Sequence, residues 1–401
     1  MIGRCSQKSI WLISFGFLVV VCVIYYISNG VDLQRFFGNI SSTSVVDLTQ
    51  GRKISKQRKP HLVILLYTQY FGREWTNQYP LGETTCPSSA AYPKCVFTND
   101  LKRIHFSDVL MFHGNDLSSP NDMRHIPRNP HQIWIFAIQE NPFTTNTGVY
   151  KIKDYDDLFN WTATYHRKSH VVMPYYDVNP IKNGSRSNGE RRMSKMDELI
   201  ATKTKLVMSI MSNCVRYRID FVKNLGKYIQ VDLYGSCKNQ VNPELEQCER
   251  DTDSCKTLQK SYKFFLAVEN SYCTDYITEK FYKESLEKGL VPIVLNGAKM
   301  LNPRIAPPGS FINVLDFKNA QQLAKYIKYL DGNDTAYLEY HRWRNSYDVL
   351  PHNYACNLCK TLNIKFKSVR RWPTLKLSKM WNAKRMCTRF EEDELLQRYL
   401  H

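Results

Sequence analysis

Residues 262–297 read YKFFLAVENSYCTDYITEKFYKESLEKGLVPIVLNG. The apolar run Phe264–Val268 predicts a buried strand, and it stops at Glu269-Asn270-Ser271, three polar residues suited to a turn. A helix is predicted to start near Thr278, with Glu279 and Lys280 in its first turn. After Lys288-Gly289 a second apolar run, Leu290–Val294, predicts the next strand. Strand, turn, helix and strand in this order make a βαβ unit of ordinary length. Its polar residues gather where the first strand ends and the helix begins. In open parallel sheets ligands bind at that edge, and helix N-termini suit phosphate groups.

Short apolar runs alternate with helical stretches over most of the chain, which predicts an α/β architecture. Leu62–Tyr67, Asp108–Phe112, Ile133–Ile138 and Val171–Met173 read as strands in the first half. Leu206–Met211, Ile229–Tyr234, Phe264–Val268, Leu290–Val294 and Phe311–Val314 do so in the second. Between the two sets lies Asn179–Lys195, which carries Pro, Gly, Ser and basic residues and is the best linker candidate. No internal repeat is evident. A chain of 401 residues, 43% apolar, has room for two or three domains.

No charged residue occurs from Ser9 to Val31, a span long enough to cross a bilayer. Arg4 and Lys8 precede it, so the short N-terminus is expected to stay cytosolic. Ser28-Asn29-Gly30 lacks a small-x-small cleavage site, which favours a retained anchor over a cleaved signal peptide. Ser28–Lys59 is polar and reads as a flexible stem. Ten of the 12 cysteines lie beyond the anchor, and in a secretory-pathway domain an even number argues for disulfides. Cys356-x-x-Cys359 has no second ligand pair with which to complete a zinc site. Sequons at Asn39, Asn160, Asn183 and Asn333 fit a lumenal domain. The net charge of +18 would suit nucleic acid, but the anchor puts the domain in the wrong compartment. A nucleotide-sugar is the better anionic partner, and the basic excess over Lys365–Arg389 reads as a solvated face.

The runs FFLAVENS, DYITEK and SLEKGLVPIVLNG resemble the donor-binding motif of the α1,3-fucosyltransferases, which move fucose from GDP-fucose onto N-acetylglucosamine. The resemblance extends more weakly from about Leu62 to Leu350. It implies the GT-B fold: two Rossmann-like domains facing a cleft, here preceded by the transmembrane helix and stem. The expected layout is a cytosolic tail (1–8), anchor (9–31), stem (32–60), acceptor-side domain (61–195), GDP-fucose-binding domain (196–350) and a C-terminal Cys-x-x-Cys and basic segment (351–401). On the donor side the family pattern of Ser212-Asn213-Cys214, an arginine and Tyr234-Gly235 places the diphosphate-binding arginine at Arg218. The short gap after Cys214 leaves Arg216 as a substitute. The resemblance assigns Lys280 to the phosphates, Glu279 to the ribose hydroxyls, and Asn270 and Tyr276 to other donor contacts. A planar, permanently charged guanidinium suits a diphosphate.

On the acceptor side the run Ile133–Ile138 leads to Gln139-Glu140-Asn141-Pro142, where the family has Glu-Ser-Pro and takes the glutamate as catalytic base. Glu140 matches; Asn141 replaces the serine. Phe159-Asn160-Trp161-Thr162 and Tyr165-x-Arg167-Lys168-Ser169 resemble a further family stretch, with His166 and His170 as departures. Phe112-His113 resembles a Phe-His pair near the acceptor, so His113 is an acceptor-contact candidate. The late Cys-x-x-Cys of the family implies that Cys86 or Cys95 pairs with Cys356 or Cys359.

The expectation is therefore a single-pass type II Golgi enzyme. It would transfer L-fucose with inversion to the 3-hydroxyl of N-acetylglucosamine on a glycan, with Glu140 as base. The core N-acetylglucosamine of N-glycans, a terminal lactosamine and an α1,4 linkage stay open. No cofactor is expected to be required, although Mn or Mg stimulation is compatible with the reading. Asp251-Thr252-Asp253 spells the Asp-x-Asp of metal-dependent glycosyltransferases, but it has no strand before it and reads as a solvated loop. The competing class is an inactive, membrane-anchored nucleotide-sugar or glycan-binding protein of the same fold.

Overall fold

The computed structural model describes residues 61–75, 78–84, 86, 94–145, 147–181, 198, 200–295, 302–365 and 372–399. The expected tail, anchor and stem lie outside these residues, as does most of the expected linker (182–195). Among the described residues no helix is long and apolar enough to cross a membrane.

The strands, in chain order, are β1 (His61–Leu66), β2 (Gly82–Glu83), β3 (Lys94–Thr98), β4 (Val109–His113), β5 (Ile133–Ile138), β6 (Trp161–Thr164), β7 (Val171–Val172), β8 (Tyr176–Pro180), β9 (Lys205–Ile210), β10 (Val231–Tyr234), β11 (Tyr262–Ala267), β12 (Tyr272–Cys273), β13 (Val291–Val294), β14 (Ile312–Asn313), β15 (Tyr347–Pro351) and β16 (Cys387–Thr388). They build two main sheets. The first has the order β2-β3-β1-β4-β5-β6-β7 and is parallel except for β2 against β3. The second has the order β10-β9-β11-β13-β14 and is parallel throughout. Each expected strand is present with its ends shifted by at most two residues. The short β3 and β6, and the first two residues of the expected linker, which complete β8, were not expected as strands.

Both faces of each sheet are covered, which explains why the strands read as unbroken apolar runs rather than alternating ones. In β11, Phe264 and Leu266 enter one core with Val207, Val231 and Val291, while Phe265 and Ala267 enter the other with Met208, Ile210 and Val294. Connections reverse direction beside β1 in the first sheet and beside β9 in the second. Ligand crevices form at such switch points, outside the carboxyl ends of the strands. The chain passes from the first sheet along β8 and returns along β15, and these two strands pair antiparallel from Tyr176↔Pro351 to Pro180↔Tyr347.

The helix Tyr354–Lys365 lies on the first sheet through Ala355, Leu358, Cys359 and Leu362. Two disulfides, Cys86–Cys356 and Cys95–Cys359, fix it there, as the resemblance implied. Loops this long remove roughly 5 kcal/mol of unfolded-chain entropy per bond in the simplest treatment.

Among the described residues of Lys365–Arg389 the basic side chains Lys376, Lys379, Lys384, Arg385 and Arg389 do face out, but Leu377, Trp381, Met386 and Cys387 between them are buried. One sequence reading needs correction. Asn160 is buried with its amide fully engaged: Oδ1 accepts from Trp134 N (2.8 Å) and Arg128 Nη2 (2.6 Å), and Nδ2 donates to the carbonyls of Trp372 (3.0 Å) and Pro373 (3.1 Å). That sequon is a structural bracket and cannot carry a glycan in the folded protein. Asn333 caps the helix Asp334–Glu339 (Ala336 N to Oδ1, 3.0 Å); Asn39 and Asn183 lie outside the described residues. Asp251 and Thr252 lie in an exposed turn, as the sequence suggested, while Asp253 opens the helix Asp253–Lys260 that Thr252 caps; the two carboxylates pair with Lys283 and Lys256. Among the described residues no group of three His, Cys, Asp or Glu side chains is placed to hold a metal ion.

Candidate active site

The donor-side candidates gather at the carboxyl edge of the second sheet. After β9 the chain turns through Ser212-Asn213-Cys214 into the helix Arg216–Gly226. The Cys214–Cys237 disulfide pins this turn to the end of β10. Gly235 makes the approach feasible: its φ is +81°, and a Cβ there would lie 2.7 Å from the Met211 carbonyl oxygen. Arg216 is solvent-exposed and pairs with Asp220 (3.5 Å). Arg218, two residues on, is buried. Its Nη1 donates to Asn213 O (3.1 Å), whereas Nε and Nη2 have no partner. Burial lowers its pKa; with one hydrogen bond from Nη1 among the described residues, the guanidinium's capacity is only partly used.

Thr278 caps the helix Glu279–Tyr282, as the sequence predicted. The buried Glu269 at the end of β11 organises this turn, and sequence reading had passed over it as a turn residue. Its Oε1 accepts from Thr278 N (2.8 Å) and its Oε2 from Thr278 Oγ1 (2.9 Å), with Lys280 Nζ 3.1 Å from Oε2. Lys280 also contacts Thr278 Oγ1 (2.9 Å) and Glu279 Oε1 (3.2 Å). Burial raises the Glu269 pKa against the opposing pull of Lys280. Burial also disfavours the Lys280 ammonium, but Glu269 and Glu279 outweigh it and the lysine pKa rises. For Glu279, desolvation is overcome by Lys280 and Arg250, and its pKa falls. Arg250, another residue the sequence did not single out, stands 3.4 Å from Glu279.

The acceptor-side candidates sit at the carboxyl edge of the first sheet. His113 ends β4, fully buried among the rings of Tyr70 (4.4 Å between centroids), Phe71 (4.5 Å) and Trp75 (5.6 Å). Its Nδ1 bonds Asp116, which also accepts from the backbone N–H groups of Phe71 and Gly72 (2.8 Å each). Desolvation lowers the His113 pKa despite the aspartate, so the ring is neutral at pH 7. Its Nε2 is buried without a partner among the described residues. The cage residues come from segments with no shared motif, and only the Phe112-His113 pair had pointed to them.

The two edges meet. Tyr276 OH donates to Glu140 Oε2 (2.9 Å), and Asn141 Nδ2 donates to Asn270 Oδ1 (3.0 Å). Thus Asn141, a departure from the family's serine, bonds a donor-side candidate directly. The loop from Glu140 to Thr145 is held from within: Thr144 Oγ1 lies 3.3 Å from Glu140 Oε2, and Asn141 Oδ1 accepts from Phe143 N (3.0 Å). Asp275, at φ +63°, accepts from Arg167 N (3.1 Å) and lies 3.9 Å from His166 Nε2. The structure therefore brings Glu140, Asn270 and Tyr276 into one hydrogen-bonded group. Arg218, Glu279 and Lys280 flank it, all electrostatically linked to Glu269 or to one another. His113 stands apart, reaching Glu140 only through longer-range charge interaction.

Two family models match the chain, the fucosyltransferase N-terminal model over residues 59–176 and the glycosyltransferase family 10 (fucosyltransferase) C-terminal model over residues 200–377. The glycoprotein 3-alpha-L-fucosyltransferase A of Drosophila melanogaster is 33% identical over 306 residues, 73% of this chain and 56% of that protein. This chain thus matches little more than half the length of that relative. The 3-galactosyl-N-acetylglucosaminide 4-alpha-L-fucosyltransferase of Bos taurus is 32% identical over 308 residues, 75% of this chain and 76% of that protein. A solved structure of an alpha1,3-fucosyltransferase with GDP aligns over 72% of this chain and 83% of that one, at 18% identity and a TM-score of 0.41.

Proposed function

The chain belongs to glycosyltransferase family 10, the fucosyltransferases, and from that premise we propose that it transfers L-fucose from GDP-fucose, with inversion, to the 3-hydroxyl of an N-acetylglucosamine in a glycan. The observation that carries this reading is the hydrogen bond between Glu140 and Tyr276, which sets a carboxylate from the first sheet against the donor loop of the second. In the proposed reaction Glu140 takes the proton of the attacking hydroxyl as that oxygen bonds the anomeric carbon and GDP departs from the opposite face. Arg218 and Lys280 offset the charge that grows on the leaving diphosphate, and Glu279 holds the ribose. Two permanent cations at this position make a metal ion dispensable in the scheme, and divalent-cation stimulation becomes a test of it.

In this reading the two sheets are the Rossmann-like halves of a GT-B enzyme. Residues 61–195 take the glycan, 196–350 the nucleotide-sugar, and 351–401 serve both. Residues 9–31 anchor the protein in the Golgi membrane with the enzyme in the lumen. The relatives' names divide between 3-alpha and 4-alpha transfer, so the acceptor panel must carry both linkages. A fragment starting at Lys59 is offered labelled GDP-fucose and a set of N-glycans and lactosamines, beside Glu140→Gln. Transfer to one class that drops by about 10³-fold in the variant is expected. GDP-fucose binding with no transfer to any glycan would favour the inactive binding protein instead.

A further inference from the structure

The C-terminal segment has no counterpart in the motif that reveals the site, yet its course is specific. Trp381 is buried against Phe136 (6.0 Å between centroids) and Tyr165 (5.7 Å), and Tyr165 packs on Tyr276 (4.9 Å). The indole Nε1–H donates to Thr145 Oγ1 (2.8 Å), and Thr145 Oγ1 donates to Asn141 O (3.1 Å), inside the loop that carries Glu140. Arg389 lies over the ring of Phe143 in the same loop (5.6 Å). Between these two contacts the segment grips the donor loop. Thr274 N donates to Met386 O (2.8 Å), β16 pairs with β12, and Cys387 is disulfide-bonded to Cys273. Phe390 stacks on Tyr217 (3.6 Å, 10°), whose hydroxyl donates to the carbonyl of Glu269.

We propose that Trp381–Phe390 is a brace that fixes the distance between the base loop, Glu140–Thr145, and the donor loop, Asn270–Tyr276. The two loops leave strand ends of different sheets and already touch through Glu140, Asn141, Asn270 and Tyr276, while Arg167 N on Asp275 and Tyr165 on Tyr276 tie the donor loop to the first sheet. One segment bonded to both loops adds a second, covalently anchored link to the two side-chain hydrogen bonds that join them. Reaction rates fall steeply when reacting groups are displaced by about an ångström. Trp381 is thus a positioning residue that acts through Thr145 on Glu140, and Cys387 is its counterpart for the donor loop. The inference rests on Glu140 being the base.

The test uses the full-length chain in detergent. Trp381→Phe keeps an aromatic ring, though a smaller one, and removes the N–H; a second variant carries Cys273→Ser with Cys387→Ser. Hydrogen–deuterium exchange over 140–145 and 270–276 is read beside kcat, the donor KM and the melting temperature. Trp381→Phe is expected to speed exchange in 140–145 and to lower kcat about tenfold, with the donor KM little changed and the melting temperature lowered by the smaller buried ring. The cysteine pair is expected to speed exchange in 270–276 and to raise the donor KM. In a Glu140→Gln background, Trp381→Phe should cost no further rate, because the two act through one group. Unchanged exchange, or faster exchange with kcat intact, would overturn the brace. Additive rate losses would overturn its action through Glu140. Full rate in Glu140→Gln alone would instead remove the base assignment and leave the exchange result standing.

Discussion

The carboxyl edges of the two sheets are built from different materials. The second is built from charge: Glu269, Glu279, Lys280, Arg250 and Arg218 stand within one turn region, and the carboxylates hold the lysine from two sides. The first is built from rings: Tyr70, Phe71 and Trp75 surround a neutral His113. A charged edge suits a diphosphate, which must be matched by fixed cations. An aromatic edge suits a neutral sugar, which offers apolar faces and a few hydroxyls. Glu140 stands where the two meet, bonded to a tyrosine of the charged edge. The division predicts that donor and acceptor affinity can be damaged separately.

The largest effect is expected from Lys280→Met. GDP affinity, measured by calorimetry, should fall roughly 100-fold, the worth of a hydrogen-bonded charge, with the acceptor KM unchanged. The variant also leaves Glu269 buried without its cation. A carboxyl whose folded pKa is raised contributes stability below its unfolded value and loses it as pH rises through the folded value. The melting temperature of Lys280→Met should therefore trail the wild type most at pH 7.5, and the gap should narrow toward pH 5. An acceptor KM that rises as much as the donor KM would break the division.

A smaller effect comes from the opposite edge of the second sheet, where the comparison can be sharpened. Lys203 is buried there with no partner for its Nζ among the described residues, and burial, then the nearby Arg344, lowers its pKa to about 7. The unfolded chain keeps this lysine charged up to its ordinary pKa, so folding loses stability below pH 7 and recovers it as pH rises toward 10. Lys203→Met should stabilise the protein by about 1–3 kcal/mol below pH 7, with the gain shrinking at alkaline pH in denaturant titrations. Unlike Lys280, this cation has no carboxylate to hold it, so equal destabilisation by both substitutions would refute the contrast. The smallest effect is expected from Phe71→Ala, a half-exposed ring on the cage. It should raise the acceptor KM by about 3- to 10-fold, the worth of one aromatic contact, and leave GDP affinity alone.

The charged edge was legible in the sequence because a βαβ unit places a strand end and a helix start next to each other in the chain. Asn270, Tyr276, Glu279 and Lys280 fall within eleven residues. Glu269 lies in the same stretch but was missed, since a glutamate ending a strand looks like a solvated turn until the burial around it is known. The aromatic edge was nearly illegible. Tyr70, Trp75 and His113 follow two different strands, and no local period links them. The buried side of the C-terminal brace was not legible because its helices, Leu377–Met380 and Ala383–Met386, are too short for an amphipathic period to stand out from the lysines and arginines between.

The sequence alone determined the α/β class, all five strands of the second sheet and four of the seven in the first to within two residues, the family, and the local motif around Asn270–Lys280. All of these rest on patterns that repeat over a few residues or on residues held in one short segment. Only the tertiary structure decided that Glu140 bonds Tyr276, that Asn160 is a bracket and not a glycan site, that Arg218 and not Arg216 is buried, and that the last residues tie two loops together. Each of these depends on side chains from segments far apart in the chain, whose meeting is set by how two covered sheets pack and by disulfides that close loops of 264 and 270 residues. No local pattern encodes that meeting, because the free energy that fixes it comes from burial shared among many residues.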